Sequence, residues 1–371
     1  MIDRDQWQEI GVVLGRNKLR TFLTAFGVFW GILMLVIMMG SGKGLQHGAA
    51  AGFGGSVTNS MYIWTQQTSM PYKGFRRGRN INFHNADVEA IRSSVPELDI
   101  LSPRCQAGGY RGTDNITRGI KTGAFNIYGD YPQYLQVEPM DIIEGRFINY
   151  RDIEEKRKVC FIGREVYNTL YEPGEEAIGT YIRAQGINYK VIGVYKSKTD
   201  DPNRAEDQEK SIIIPLTTFQ QAYNWGDVVG WLAVTAKPDV PVSRVGDKIK
   251  ALVRQRQSIH PDDEMAFGSW NKEEQFNRMM GLLTGINILS LIVGTLTLLA
   301  GAIGVSNIML VIVKERTKEF GVRRAIGAPP SSIIKQVVLE SVVLTVGAGI
   351  LGIIAGVWLL ELVSAGMNAA A

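Results

Sequence analysis

The sequence predicts an integral membrane α-helical bundle of three spans that carries one large α+β domain on the extracytoplasmic side. Three observations predict it. Uncharged runs occupy residues 21 to 42, 279 to 313 and 341 to 360, with lengths of 22, 35 and 20 residues, and about 20 apolar residues let a helix cross roughly 30 Å of hydrocarbon. More than 230 residues of ordinary soluble composition separate the first two runs, enough for one or two compact domains with real cores. The basic residues gather beside the spans although the net charge is only +4: Arg16, Lys18 and Arg20 precede the first, and Lys314, Arg316, Lys318, Arg323 and Arg324 lie between the second and third. By the positive-inside bias both basic segments and the N-terminus face the cytoplasm, which places the middle domain outside. Charge gathered in this way argues for membrane topology and against nucleic-acid binding.

Within residues 1–20, "DQWQEIGVVLGRNKLR" puts Trp7, Ile10, Gly11, Leu14 and Lys18 on one helical face, as suits an amphipathic helix on the cytoplasmic membrane surface. The first span, residues 21–45, closes on "MGSGKG" (39–44). That string looks like half of a phosphate-binding loop, but Gly44 stands where a hydroxyl residue must bind Mg²⁺ and Ile37 stands where the first glycine is needed. "GSGKG" therefore reads as the flexible exit of the span. The apolar run exceeds the 7 to 15 residues of a secretory signal core, so the span is read as an uncleaved anchor.

The extracytoplasmic domain, residues 46–275, mixes strands and helices irregularly and shows no dinucleotide-binding fingerprint. Strand patterns occur at 57–64, 158–163, 211–216 and 230–236, with a hairpin over 180–195 hinged on Gln185-Gly186. Helices are expected at 82–94 and 240–256, the first capped by Asn82 or Asn85. The basic stretch 69–80, with Arg76, Arg77 and Arg79, reads as a solvated turn, and "SKTDDPNRAEDQEK" (197–210) reads as a solvated, mobile loop. Cys105 and Cys160 lie where oxidation is permitted. Their spacing leaves open whether they pair or remain small core thiols. The three histidines have no metal-ligand spacing, and no aromatic cage or catalytic constellation is visible to name a cargo.

The second uncharged run is too long for one crossing: 35 residues make about 52 Å of helix against roughly 30 Å of hydrocarbon. The surplus is expected to project outward from 276 as a rigid stalk, with residues 276–313 forming stalk and second span. Residues 329–366 form the third span and 367–371 the end of the chain. Small residues recur at four-residue spacing in all three: Gly27 and Gly31, Ala300 and Gly304, Gly352 and Gly356. Such patches let helix backbones approach closely in lipid, which points to a packed, oligomeric bundle. Ionisable residues are absent from the span interiors, as secondary transport would not allow; Glu340, near the start of the third span, is read as interfacially exposed.

Between the second and third spans, "KERTKEFGVRRAIGAPP" (314–330) predicts a short charged helix from Glu315 to Ile326, with Phe320, Ala325 and Ile326 as apolar contacts and Gly327 and Pro329-Pro330 as its end. Such a helix is suited to press on a cytoplasmic partner, and equally to lie on anionic lipid as a basic turn.

"SNIMLVIVKERTKEFGVRRAIGAPPSSIIKQVVLESVVLTVGAGILG" resembles the membrane portion of MacB-type ABC transporter permeases, the FtsX/LolC-like or type VII group. "NKLRTFLTAFGVFWGI" looks like the first-span signature of that group, and "IIEGRFINYRDIEEKRKVCFIGREV" with "AIGTYIRAQGINYKVIGVY" is similar to its extracytoplasmic core domain. The resemblance implies a homodimeric permease of the cell inner membrane, with a periplasmic domain of porter-like and β-rich subdomains on a helical stalk. It implies that residues 314–328 are the coupling helix, with Glu315, Arg316, Glu319, Phe320, Arg323, Ile326 and Gly327 contacting a cytoplasmic ABC ATPase subunit. ATP and Mg²⁺ would be bound by that partner, with no cofactor and no catalysis in this chain. ATP-driven movement would pass along the stalk to the periplasm, serving efflux with a periplasmic adaptor protein and an outer-membrane channel. Lipoprotein extraction or control of cell-wall hydrolases, in the manner of LolC or FtsX, is the alternative within the group; a membrane-tethered sensor or scaffold is the alternative outside it. The group normally has four spans, and this sequence supplies three. Because it starts almost at the membrane, the ATPase is expected on a separate polypeptide.

Overall fold

A computed structural model describes residues 18–52, 57–107, 115–199 and 202–370. The surface helix expected around Trp7, Ile10, Gly11 and Leu14 lies outside the described residues. The helices are α1 Lys18–Gly52, α2 Asn85–Ser94, α3 Tyr134–Val137, α4 Tyr150–Glu154, α5 Arg164–Leu170, α6 Pro202–Glu209, α7 Leu216–Ala222, α8 Val242–Arg256, α9 Lys272–Glu315, α10 Thr317–Ala325 and α11 Pro330–Ala370. The strands are β1 Ser60–Thr65, β2 Phe83–His84, β3 Leu98–Ala107, β4 Ile116–Arg118, β5 Lys121–Gly123, β6 Asn126–Asp130, β7 Met140–Gly145, β8 Val159–Gly163, β9 Tyr181–Ala184, β10 Ile187–Ser197, β11 Ser211–Pro215, β12 Val228–Val229, β13 Trp231–Ala236 and β14 Phe267–Asn271. Two compact units divide the chain: Met1–Gly48 with Met280–Ala371, and Ala49–Met279.

Three helices are long and apolar enough to cross a membrane, over Thr21–Gln46, Lys272–Glu315 and Pro330–Gly366. The first corrects the sequence reading. α1 continues without a break through "GSGKG" to Gly52, so the glycines are not a flexible exit. A methyl group at Gly40 would overlap Leu360 of α11, and one at Gly42 would overlap the Asn287 side chain of α9. Glycine costs an exposed helix about 1 kcal/mol relative to alanine; here it admits neighbouring side chains that any larger residue would displace. α9 is one uninterrupted element of 44 residues, about 66 Å long at 1.5 Å per residue. It takes in the whole uncharged run and the acidic turn before it, Glu273 and Glu274, which suits the positive end of the helix dipole.

The Ala49–Met279 unit is built on a twelve-stranded sheet of order β14-β1-β13-β3-β6-β11-β8-β10-β9-β4-β5, with β7 also paired to β10. Most pairs are antiparallel; β8 with β10 and β6 with β11 run parallel. Two large apolar cores result. In one, Met61, Ile63, Phe83, Leu232, Val234 and Phe267 pack with Ile91 of α2 and the face Val242, Val245, Ile249 and Val253 of α8, residues spaced three and four apart as one helical stripe requires. In the other, Ile127, Cys160, Ile162, Val191 and Ile212 pack with Leu170 of α5 and Phe219 of α7. The β9–β10 hairpin turns on Gln185 and Gly186, both at positive φ (45° and 87°), the geometry of a two-residue turn that matches strand twist.

Several local expectations change. The cap of α2 is His84 rather than either asparagine, its backbone N–H donating to Asp87. Arg79 is not a solvated turn residue: its Nη2 donates to the carbonyls of Gln257 and Ser258, and its guanidinium lies 4.2 Å from the Phe75 ring centroid. The polar stretch 197–210 contains α6, opened by Pro202 at the position where its missing N–H is harmless. Glu209 at its end is buried and accepts from the Ser197 N–H at 2.8 Å, so a tertiary anchor holds a segment whose composition alone has none. Both cysteines are free and buried; burial pushes the Cys105 thiol up to about 12 and Cys160 higher still. Iodoacetamide is therefore expected to label neither thiol in the folded chain and both after denaturation, as peptide mass spectrometry would report. Rapid native labelling of Cys160 would contradict its position in the core.

Candidate functional site

The connector between the second and third apolar helices is built from its ends inward. α9 stops at Glu315 because Arg316, at φ −91° and ψ 9°, leaves helical geometry before α10 restarts at Thr317. At the other end Gly327 takes φ +101°, its N–H donates to the Arg324 carbonyl at 3.0 Å, and the Ala328 N–H donates to the Arg323 carbonyl at 3.1 Å. This pair of reversed bonds closes a helix on a left-handed residue, a conformation that disfavours any side chain. Pro330 then opens α11.

Ion pairs turned toward α11 hold the connector. Arg316 Nη2 lies 2.9 Å from Glu319 Oε1, and Arg316 Nη1 lies 3.1 Å from Glu340 Oε1. Arg323 Nη2 reaches the same Glu319 oxygen at 3.0 Å, while its Nη1 donates to Gln336 Oε1 at 2.9 Å. Hydrogen bonding to Glu319, and then to Glu340, raises Arg316 further above its already basic range. The interfacial reading of Glu340 is overturned: its residue is 1% exposed, because the Arg316 guanidinium supplies the partner a buried carboxylate needs. Phe320 is buried under the Arg316 guanidinium, 5.2 Å from its ring centroid. Ala325 and Ile326, read from sequence as apolar contacts, are on the surface, Ile326 at 82% exposure beside exposed Val322. Among the residues picked from sequence, then, Arg316, Glu319, Phe320 and Arg323 set the connector's shape, Gly327 ends it, and Ile326 and Glu315 face outward. Val322 and Glu340 are the members that sequence reasoning missed; Glu340 borders the third uncharged run, and Arg316 lies 24 positions before it.

The small residues divide between two seams. A Cβ at Gly301 would stand 3.3 Å from the Gly27 carbonyl oxygen, and one at Gly31 would stand 3.2 Å from Leu298 Cδ2, so Gly27 and Gly31 receive α9. Gly352 and Gly356 receive α1, with a Cβ 2.8 Å from the Phe29 carbonyl oxygen and 2.8 Å from Val36 Cγ1 respectively. The close approach on α9 is made by Gly301. Its neighbours Ala300 and Gly304, together with Gly27 and Gly301, line an open groove of about 320 Å³ with Leu23, Phe26 and Trp30.

The middle domain shows no aromatic cage in sequence, yet the fold assembles one. Tyr62, Trp64, Tyr128, Tyr134, Tyr195, Trp231 and Trp270 line a single cleft, although they are spread from residue 62 to residue 270. The available signal was confined to β1, where Tyr62 and Trp64 alternate with the core residues Met61 and Ile63.

Residues 21–252 match the MacB-like periplasmic core domain, and residues 291–370 match the FtsX-like permease C-terminal domain. The macrolide export ATP-binding/permease protein MacB of Bdellovibrio bacteriovorus is 27% identical over 353 residues, covering 95% of this chain and 53% of that protein. The pyoverdine export ATP-binding/permease protein PvdT of Pseudomonas entomophila is 25% identical over 344 residues, covering 92% and 50%. The chain spans about half the length of the curated relatives it matches. Among solved structures, the periplasmic region of MacB from Actinobacillus actinomycetemcomitans is similar at 20% identity and a TM-score of 0.47, over 60% of this chain and 93% of that one.

Proposed function

The chain belongs to the MacB-type family of ABC transporter permeases, and from that premise we propose that it transmits the ATP-driven movement of an ABC ATPase to its periplasmic domain. ATP is hydrolysed by ATPase residues outside these 371, and the connector 314–328 is the docking element, cytoplasmic like the N-terminus of the chain. Val322 and Ile326 are the apolar knob, held in place by the Arg316–Glu319–Glu340 cluster behind them. Two copies act together, and export proceeds with a periplasmic adaptor and an outer-membrane channel; the relatives named for macrolide and pyoverdine export support export over the other activities of the group.

The observation that carries this reading is the unbroken helix α9. Displacement applied at one end of a helix reaches the other only if no hinge absorbs it, and kinks arise at proline, at glycine pairs or at bulges. α9 contains no proline, and its glycines occur singly. The test is purification of the tagged chain from its native membrane under mild detergent. A co-purifying ABC ATPase, lost on Ile326→Asp, is the expected result; a chain that reproducibly emerges with no ATPase bound would turn the assignment to a tethered sensor or scaffold.

A further inference from the structure

The coupling scheme makes no use of the periplasmic domain's aromatic cleft, which has a volume of about 730 Å³. Its wall is one face of the sheet. Side chains alternate across a strand, so Met61 and Ile63 of β1 enter the first core while Tyr62 and Trp64 face the cleft. Strand register extends the row: Tyr62 stands opposite Trp270, Trp64 opposite Trp231, Trp231 opposite Arg104, and Gln106 opposite Tyr128. The Tyr62 and Trp270 rings stack with centroids 5.7 Å apart, and Tyr128 meets Trp231 edge-on at 6.2 Å. A Cβ at Gly268 would overlap the Trp64 indole, so glycine on β14 is what admits that ring. All three indoles remain half-buried.

The buried charges of the cleft are already neutralised, while Arg204 and Asp207 stand exposed at its edge. Arg104 Nε lies 2.8 Å from Asp130 Oδ1, and its guanidinium is sandwiched 3.8 Å from the Tyr128 centroid and 4.0 Å from that of Tyr134. Lys272 Nζ lies 2.7 Å from Glu138 Oε2, which also accepts from the Tyr62 hydroxyl, while Gln208 Nε2 donates to Glu138 Oε1. A charged group lying against the rings would lose its hydration beside Arg104–Asp130 and Lys272–Glu138, two pairs that already satisfy each other. An uncharged ring system would gain stacking on rings that are otherwise half in water. The volume falls in the range that holds drug-sized ligands.

We propose that this cleft binds an uncharged, flat ring compound stacked on Tyr62, Trp64, Trp231 and Trp270, its polar edges meeting Gln106 and Gln208. The site is set against the root of α9, since Lys272 is the first residue of that helix and 3% exposed. Binding is independent of the ATPase reading, because it is measured with no ATPase present.

The test uses the full chain in lipid nanodiscs with benzophenone, an uncharged two-ring ketone, as the probe. Irradiation attaches it to nearby C–H groups, Met140 of the cleft wall among them, and peptide mass spectrometry locates the adducts. Saturable labelling of the peptides holding Met140 and Trp231 is expected, reduced about tenfold by Trp231→Ala and retained in Trp231→Phe. Labelling of those peptides that rises in proportion to benzophenone without saturating, or that survives Trp231→Ala, overturns the proposal. If Trp231→Ala does not fold, the saturation curve of the unaltered chain decides alone.

Discussion

Replacing Arg104 with alanine is expected to cost the periplasmic domain about 3–5 kcal/mol, the range seen when one partner of a buried ion pair is removed. Arg104 is 8% exposed, Asp130 is fully buried, and the truncation would strand the carboxylate. The loss also opens space between Tyr128 and Tyr134, which now hold the guanidinium on both faces. The effect carries a pH signature. Burial pushes the Asp130 carboxyl up to about 6 from 3.8, against the opposing pull of Arg104. A carboxyl raised on folding contributes stability that is complete below its unfolded pKa and is lost as pH rises through the folded value. Without Arg104 the folded value rises further, so loss continues to higher pH in the variant than in the parent. The deficit of Arg104→Ala is thus expected to widen as pH climbs above about 6, which denaturant unfolding of the full chain at several pH values would measure. A deficit under about 1 kcal/mol at neutral pH would mean that the pair is far better solvated than its burial indicates.

Glu319→Lys is expected to abolish the stimulation of a bound ATPase while leaving membrane insertion intact. Glu319 accepts from both Arg316 and Arg323, so a lysine there replaces two attractions with two repulsions and releases α10 from α11. Glu340→Gln keeps shape and hydrogen-bonding capacity but removes the charge facing Arg316, and should weaken stimulation to a smaller degree. ATPase rates of the reconstituted complex, with co-purification as the measure of docking, separate the two roles. Loss of stimulation with docking preserved fits a connector that must be stiff. Unchanged stimulation in Glu319→Lys would remove the connector from the transmission path.

The spans and the connector were legible in the sequence because their causes are local. Lipid demands an apolar run of a given length, and a left-handed helix end demands a residue like Gly327, so single stretches announce both. The hairpin at Gln185-Gly186 and the stripe of α8 were legible for the same reason. What escaped were features in which distant residues supply what the local chain lacks. Glu340 looked exposed because its partner, Arg316, lies on the far side of a helix and a turn. Gly40 and Gly42 looked like a loose exit because the residues that need the room, Leu360 and Asn287, belong to other helices. The segment around Pro202 looked mobile because its anchor, the Ser197 N–H that donates to Glu209, lies 12 residues before that carboxylate.

The sequence by itself determined three apolar helices, their connector and a mixed middle domain, since hydrophobic length, charge placement and turn chemistry are properties of contiguous residues; its MacB type was read from the resemblance of whole motifs. Only the tertiary structure decided which face of each helix is packed, where Arg316 finds its counter-charge, and that seven aromatic side chains from β1, β6, β10, β13, β14 and α3 share one cleft. Strand register and helix contact set those neighbours. Both depend on how separate segments meet, and no single stretch of chain encodes that meeting.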